Sequence, residues 1–351
     1  MQHLIESFSD TLREASRAGT ALAIRGGGTK GFYGRATAGG EFRVDAYAGI
    51  IDYSPAELVV TARAGTPLAA LEAALAQENQ MLAFEPPHFG ATATAGGAVA
   101  CGLSGPRRPY AGALRDHVLG ITCLNGAGRR LRFGGQVMKN VAGYDLSRGL
   151  AGSLGTLALL LDISFKVLPR PEAELTLRRE TSAAEAIALF NRWAGTPVPL
   201  SAACYHEGRL TARLSGFERG VKAAACALGG GELPEAGSFW EDLREHRLAF
   251  FDDPRPLWRL SLPPATPPLG LDGECFIDWG GGQRWYKTDL TAAALRQAAS
   301  AAGGHALCFR NHSGNDVFHP LPGPLLALHR RLKRSFDPAG ILNPGRMYPE
   351  L

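Results

Sequence analysis

The chain has 351 residues, 45% of them hydrophobic and 20% charged, with a formal net charge of +4. This is an ordinary folded protein, too long for one small core, and two lobes are expected; disorder is excluded. Basic residues are interspersed with acids and form no stripe, which argues against nucleic acid as a partner.

In chain order, residues 1–18, with Glu6, Asp10 and Glu14 among spaced apolar residues, predict an amphipathic helix and not a signal peptide. Residues 21–24 predict a buried strand. It leads into Arg25, Gly26, Gly27, Gly28, Thr29, Lys30 and Gly31. Consecutive glycines tolerate left-handed backbone angles and carry no Cβ, so such a loop can aim several N–H groups at one anion. A phosphate or pyrophosphate is the expected occupant. Gly26, Gly28 and Gly31 also spell the dinucleotide fingerprint, but residues 32–40 lack helical periodicity. No Gly-Lys-Ser/Thr ends the run, so the mononucleotide loop fails too. A plain turn between two strands stays open as the alternative.

Strands are predicted at 42–45, 49–53 and 57–62, followed by a helix through Gln77 with Thr66 as N-cap and Pro67 at its first position. A second glycine-rich stretch, 86–105, is built of small residues. Either a flat ligand or closely packed backbone fills that space. Residues 105–110 read as a rigid, exposed loop whose Arg107 and Arg108 face a carboxylate, a partner or solvent. A hairpin follows, with strands at 116–124 and 130–133 around a tight turn at 125–128. A long strand at 157–168 closes this half. Its apolar run, Leu157 to Leu161, is far short of the ~20 residues a membrane span needs, so membrane contact is expected only through partners.

The middle of the chain has another texture. A strand at 175–179 precedes a helix capped by Ser182 and carrying Ala186, Ile187, Leu189, Phe190 and Trp193. Strands are predicted at 201–205, 209–214, 257–262, 275–279 and 284–287, with helices at 219–228, 239–247 and 291–302. This alternation lacks parallel-crossover lengths and predicts an antiparallel sheet with helices on one face. The six cysteines are scattered without a C-x-x-C pair, which disfavours zinc and iron–sulfur sites. They read as reduced residues of a cytosolic protein. His305, His312 and His319 lie near Asp316, and a solvated loop is favoured there over a metal site, so no metal is expected.

Three blocks carry a resemblance: R-G-G-G-T at 25–29, the small-residue block around Gly96 and Gly97, and K-N-x-x-G-Y-D-L at 139–146 followed by G-S-x-G-T-L at 152–157. They resemble the FAD-binding domain of the vanillyl-alcohol oxidase / p-cresol methylhydroxylase (PCMH) superfamily. Residues 332–347 resemble the C-terminal signature of its glycolate and D-lactate dehydrogenase branch. The short length and residues 101–109 look most like the FAD-binding subunits of bacterial glycolate oxidase (glycolate dehydrogenase).

The resemblance implies an α+β fold: a two-lobed PCMH-type FAD-binding domain at 1–172, a smaller antiparallel α+β cap at 173–310, and a segment at 311–351 returning to the flavin. Arg25, Gly26, Gly27, Gly28, Thr29, Lys30 and Gly31 would hold the pyrophosphate. The 92–102 segment, with Thr92, Gly96, Gly97, Ala100 and Gly102, would line the ribityl chain and ring, and the strand near 159–163, with Ile163, would lie against the adenine side. Pro87, Gly155 and Asn343 complete the expected cofactor set. No histidine stands in the loop where some relatives bond the flavin covalently, so FAD is expected to be non-covalent. Lys139, Tyr144 and Arg346 fall in motifs that approach the ring and are weak catalytic candidates.

The implied function is a flavin-carrying subunit of a glycolate-oxidising complex, with a catalytic flavin subunit and an iron–sulfur subunit as partners. Its expected location is the cytoplasm, or the inner membrane surface through that complex. A free-standing FAD-dependent 2-hydroxy acid dehydrogenase and a scaffold with a vestigial flavin pocket stay open.

Overall fold

A computed structural model describes residues 1–135, 146–312 and 317–351. The chain forms two compact units. One comprises Met1–Leu103, Ala113–Pro169 and Pro320–Leu351; the other comprises Ser104–Gly112 and Arg170–His319.

In the first unit, helix Gln2–Ala18 buries Ile5, Phe8, Leu12 and Ala15 on one stripe and ends on Gly19 at φ 64°. The stripe packs on Leu22, Phe42, Leu124, Leu159 and Leu342. Strand Leu22–Arg25 runs parallel to Gly40–Arg43. A five-stranded antiparallel sheet has the order Ile50–Ser54, Val59–Arg63, Ala158–Lys166, Val118–Asn125, Arg130–Gly134. Helix Leu68–Gln77 buries Leu68, Leu71 and Leu75 against Val60, Phe84 and Phe165; each buried leucine contributes about 1.5–3 kcal/mol.

The expected cap of that helix is not made. Pro67 occupies the N-cap position, and the Thr66 hydroxyl is engaged elsewhere. It accepts from the Gly49 N–H at 2.9 Å and donates to the Gly49 carbonyl at 3.1 Å. The small-residue stretch contains helix Ala95–Cys101, capped by Thr94 Oγ1 accepting from the Gly97 N–H at 3.2 Å. It packs so closely that a Cβ on Gly96 would stand 2.7 Å from Ala64 Cβ. Helix Gly323–Phe336, not expected from the sequence, returns the chain to this unit.

The second unit is built on an eight-stranded sheet, antiparallel at every pair. Its order is Gly231–Glu232, Ala173–Glu180, Arg209–Gly216, Leu200–His206, Glu274–Asp278, Gln283–Lys287, Leu257–Ser261, His305–Arg310. Ser182 caps helix Ala183–Ala194 as expected, accepting from the Glu185 N–H. This helix and Glu218–Leu228 pack with Leu177, Leu210 and Leu214. The helices are not confined to one face, however. Trp240 of helix Ala236–Glu245 donates to Thr176, whose side chain alternates with Leu175 and Leu177 and so points to the opposite side. Nor is the arginine loop exposed. Arg107 is buried and ion-paired with Glu174, and Arg108 lies 4.3 Å over the Trp279 ring. Both partners are remote in sequence, so no local pattern announces them.

Candidate functional site

The glycine loop opens on a cleft inside the first unit that encloses about 900 Å³ of empty space, part of it open to solvent. Of the residues expected from the sequence, Arg25, Gly26, Gly27, Gly28, Thr29, Lys30 and Gly31 line it. Gly96, Gly97, Ala100, Gly155, Asn343 and Arg346 line it as well.

Bare main chain makes the wall. A Cβ on Gly27 would fall 1.5 Å from the Thr92 carbonyl oxygen, and one on Gly26 would fall 2.8 Å from Thr94 Oγ1. Gly28 has φ 77° with open space where a side chain would project. Among the described residues, the N–H groups of Gly26, Gly27, Gly28 and Thr29 have no intramolecular acceptor. Four successive donors left to solvent or ligand at the rim of a cleft form an anion nest. These residues fit a bound pyrophosphate.

The C-terminal segment braces this loop. Leu22 N–H donates to the Ile341 carbonyl at 2.8 Å, and Asn343 N–H to the Leu22 carbonyl at 3.0 Å, so the segment runs beside the first strand. The Asn343 side chain accepts from the Ile24 N–H and donates to the Leu154 carbonyl, both at 2.7 Å. Asn343 adopts φ 40°, tolerable for asparagine. Beneath it, buried Lys333 donates to Asp337, the Thr156 carbonyl and the Leu342 carbonyl at 2.7–2.8 Å. Asp337 accepts from the N–H groups of Ile341 and Leu342. Arg346 directs its guanidinium at the carbonyls of Arg35, Gly31 and Tyr33, at 2.7, 2.9 and 2.7 Å. These contacts give Arg346 the role of holding the loop.

Four expected residues stand outside the cleft lining. Ile163 is fully buried, paired with Ala62 and Ile121; the cleft meets that strand at its start, where Ala158, Leu159 and Leu160 line it. Gly102 ends its helix at φ 64°, against Gly152. Thr92 braces the loop from behind, its hydroxyl donating to the Gly27 carbonyl at 2.7 Å. Pro87 is buried beside His88, whose carbonyl accepts from Thr29 and Lys30. Lys139, Tyr144 and Asp316 lie outside the described residues.

Thr94 and Cys101, inside the 92–102 segment expected at the ring, line the cleft too, whereas sequence reasoning missed Thr37, Val44 and Ala64. The Thr94 signal was present, a threonine three residues before Gly97 at a helix start. Burial pushes the Cys101 thiol up to about 11, so it stays protonated at neutral pH. His319 is tied to the Ala306 N–H at 3.3 Å.

Residues 4–134 match the FAD binding domain family, and residues 321–347 match the C-terminal domain of FAD linked oxidases. The chain is 50% identical over 350 residues to glycolate oxidase subunit GlcE of Escherichia coli (strain K12), covering 100% of this chain and 98% of that protein. It belongs to the GlcE family of FAD-linked oxidoreductases. Glycolate oxidase subunit GlcD of Bacillus subtilis (strain 168) is 33% identical over 129 residues, 36% of this chain and 27% of that protein. Among solved structures, alkyldihydroxyacetonephosphate synthase has a TM-score of 0.67 at 15% identity, over 97% of this chain and 75% of that one. That likeness supports the α+β fold, and the two family matches with the GlcE relative carry its PCMH-type FAD-binding character.

Proposed function

We propose that this chain is the flavin-carrying subunit of a glycolate oxidase complex, supporting oxidation of glycolate to glyoxylate beside a catalytic flavin subunit and an iron–sulfur subunit. The observation that carries this is the anion nest at residues 26–29, held open by a C-terminal brace. Identity to glycolate oxidase subunit GlcE across the whole chain supports the assignment to such a complex.

Residues 26–31 would hold the cofactor's pyrophosphate, while Gly96, Gly97, Ala100 and Gly155 leave room for its flat portion. FAD, when bound, supplies acceptor and donor chemistry for two electrons. The chain's own residues supply binding and orientation. Lys30 and Arg346 place positive charge at the cleft, and preorganised charge of this kind favours an anionic cofactor state.

Among the described residues, no helix is long and apolar enough to cross a membrane. Any inner-membrane attachment would therefore run through the complex.

Purifying the chain alone tests the reading. The expected result is a yellow protein that glycolate does not bleach until partner subunits are added. Bleaching by glycolate alone would make it a free-standing dehydrogenase. A colourless chain that still assembles would make it a scaffold.

A further inference from the structure

The second unit holds a cavity of its own, enclosing about 810 Å³ of empty space partly open to solvent. Strand register explains its lining. Arg178 pairs with Thr211, and Thr211 pairs with Cys204 on the next strand, so the three side chains form one row on one face. His206, two residues beyond Cys204, shares that face. Phe250 and Phe276 supply apolar wall.

Two features of this row point to a ligand. Arg178 Nε donates to Thr211 Oγ1 at 3.4 Å and its guanidinium lies 5.2 Å from the Phe239 centroid. Among the described residues no carboxylate forms an ion pair with it. Elsewhere in this unit Arg107 and Arg255 are matched with Glu174 and Asp253. The second feature is an imidazole fixed in orientation. His206 stacks on Phe276 at 5.0 Å and meets Phe250 edge-on at 5.2 Å. Its Nε2 lies 2.9 Å from Glu274, and its Nδ1 lies 4.0 Å from the exposed Glu207.

We infer that this cavity is a binding site for a small 2-hydroxy- or 2-oxocarboxylate, with Arg178 taking the carboxylate and Thr211 and His206 facing the neighbouring oxygen. A guanidinium offers a planar fork matching both carboxylate oxygens, and with no ion pair on Arg178 among the described residues that fork is available. The aromatic walls lower the local dielectric and strengthen the pairing. His206, Glu207 and Glu274 could also gather around a metal ion; Arg178 and Arg209 in the same lining balance the two glutamates, so zinc is the competing occupant that the titration below separates. Cys204 contributes no thiolate, because burial raises its pKa well above the ordinary value. The choice of a hydroxy acid rests on the function proposed above; the carboxylate site itself does not.

Calorimetric titration of the purified full chain with glycolate tests this, with flavin content read separately from visible absorbance. Wild type is expected to bind saturably, Arg178→Gln at least tenfold more weakly, and Arg178→Lys in between, with flavin content equal in all three. A charge-assisted hydrogen bond is worth that factor or more. Unchanged affinity in Arg178→Gln, no binding by wild type, or binding of zinc but not glycolate would each overturn the site. His206→Asn, on another strand, is expected to weaken glycolate binding as well and keeps the test decisive should Arg178→Gln fail to fold. A colourless wild type that binds glycolate through Arg178 would remove the flavin reading and leave this one standing.

Discussion

Replacing Gly27 by alanine adds one methyl group where the structure has no room for it. The new Cβ would stand 1.5 Å from the Thr92 carbonyl oxygen, a backbone atom, whereas real Cβ contacts essentially never fall under 3.0 Å. Relief therefore needs about 1.5 Å of movement between two segments of main chain. Such a shift breaks the 2.7 Å bond from Thr92 Oγ1 to the Gly27 carbonyl, costing about 1 kcal/mol. Strain adds roughly 1–3 kcal/mol, for a total near 2–4 kcal/mol. At roughly 2–4 °C per kcal/mol for a unit of this size, the melting temperature should fall by about 4–16 °C. The same movement misaligns the donors at residues 26–29, so flavin retention should be lost. Flavin-to-protein absorbance ratio and thermal melting read both effects. Gly149→Ala is the matched control, because nothing lies within 4 Å of its added Cβ. If Gly27→Ala keeps full flavin content and melts within a degree of wild type, the close approach of these two segments is wrong.

Two further outcomes are expected. Asp337→Asn leaves Lys333 buried without its counter-charge and should cost about 3–5 kcal/mol in urea unfolding; a loss under 1 kcal/mol would exclude the brace as a source of stability. His246 is buried, stacked 4.0 Å from Phe251, and burial, then Arg310, Arg259 and Lys287, hold its pKa well below the ordinary histidine value. It stays neutral when folded and gains a proton on unfolding, so its stabilising contribution is present above the unfolded pKa of about 6.5 and lost as pH falls below it. The slope there should approach 1.4 kcal/mol per pH unit for that proton. His246→Phe should flatten it, and an unchanged slope would show that another group titrates.

What the sequence revealed was whatever depends on neighbours. The Gly26 to Gly28 run, the Ser182 cap and the alternation along most strands are written within a few residues, and the structure bears them out. Thr66 looked like a cap for the same local reason, but Gly49, far enough away to be invisible to a window, captured its hydroxyl. For Arg107 and Arg108 a carboxylate, a partner and solvent all stayed open, because Glu174 and Trp279 are remote in sequence. The cleft followed the same division. Its glycine wall was legible as motif, while the spatial job of Arg346, bonding carbonyls at residues 31, 33 and 35, needed the fold. The strand near 159–163 does reach the cleft, through Leu159 and Leu160, while Ile163 itself lies in the core.

The brace at Asn343 imposes an order of events during synthesis. The bond from the Ile24 N–H to Asn343 spans 319 positions, and at ~5–20 residues per second a ribosome needs roughly 15–60 s to cover them. Throughout that interval the nascent glycine loop lacks the partners that shape it, so cofactor capture waits until the far segment has emerged and folded back.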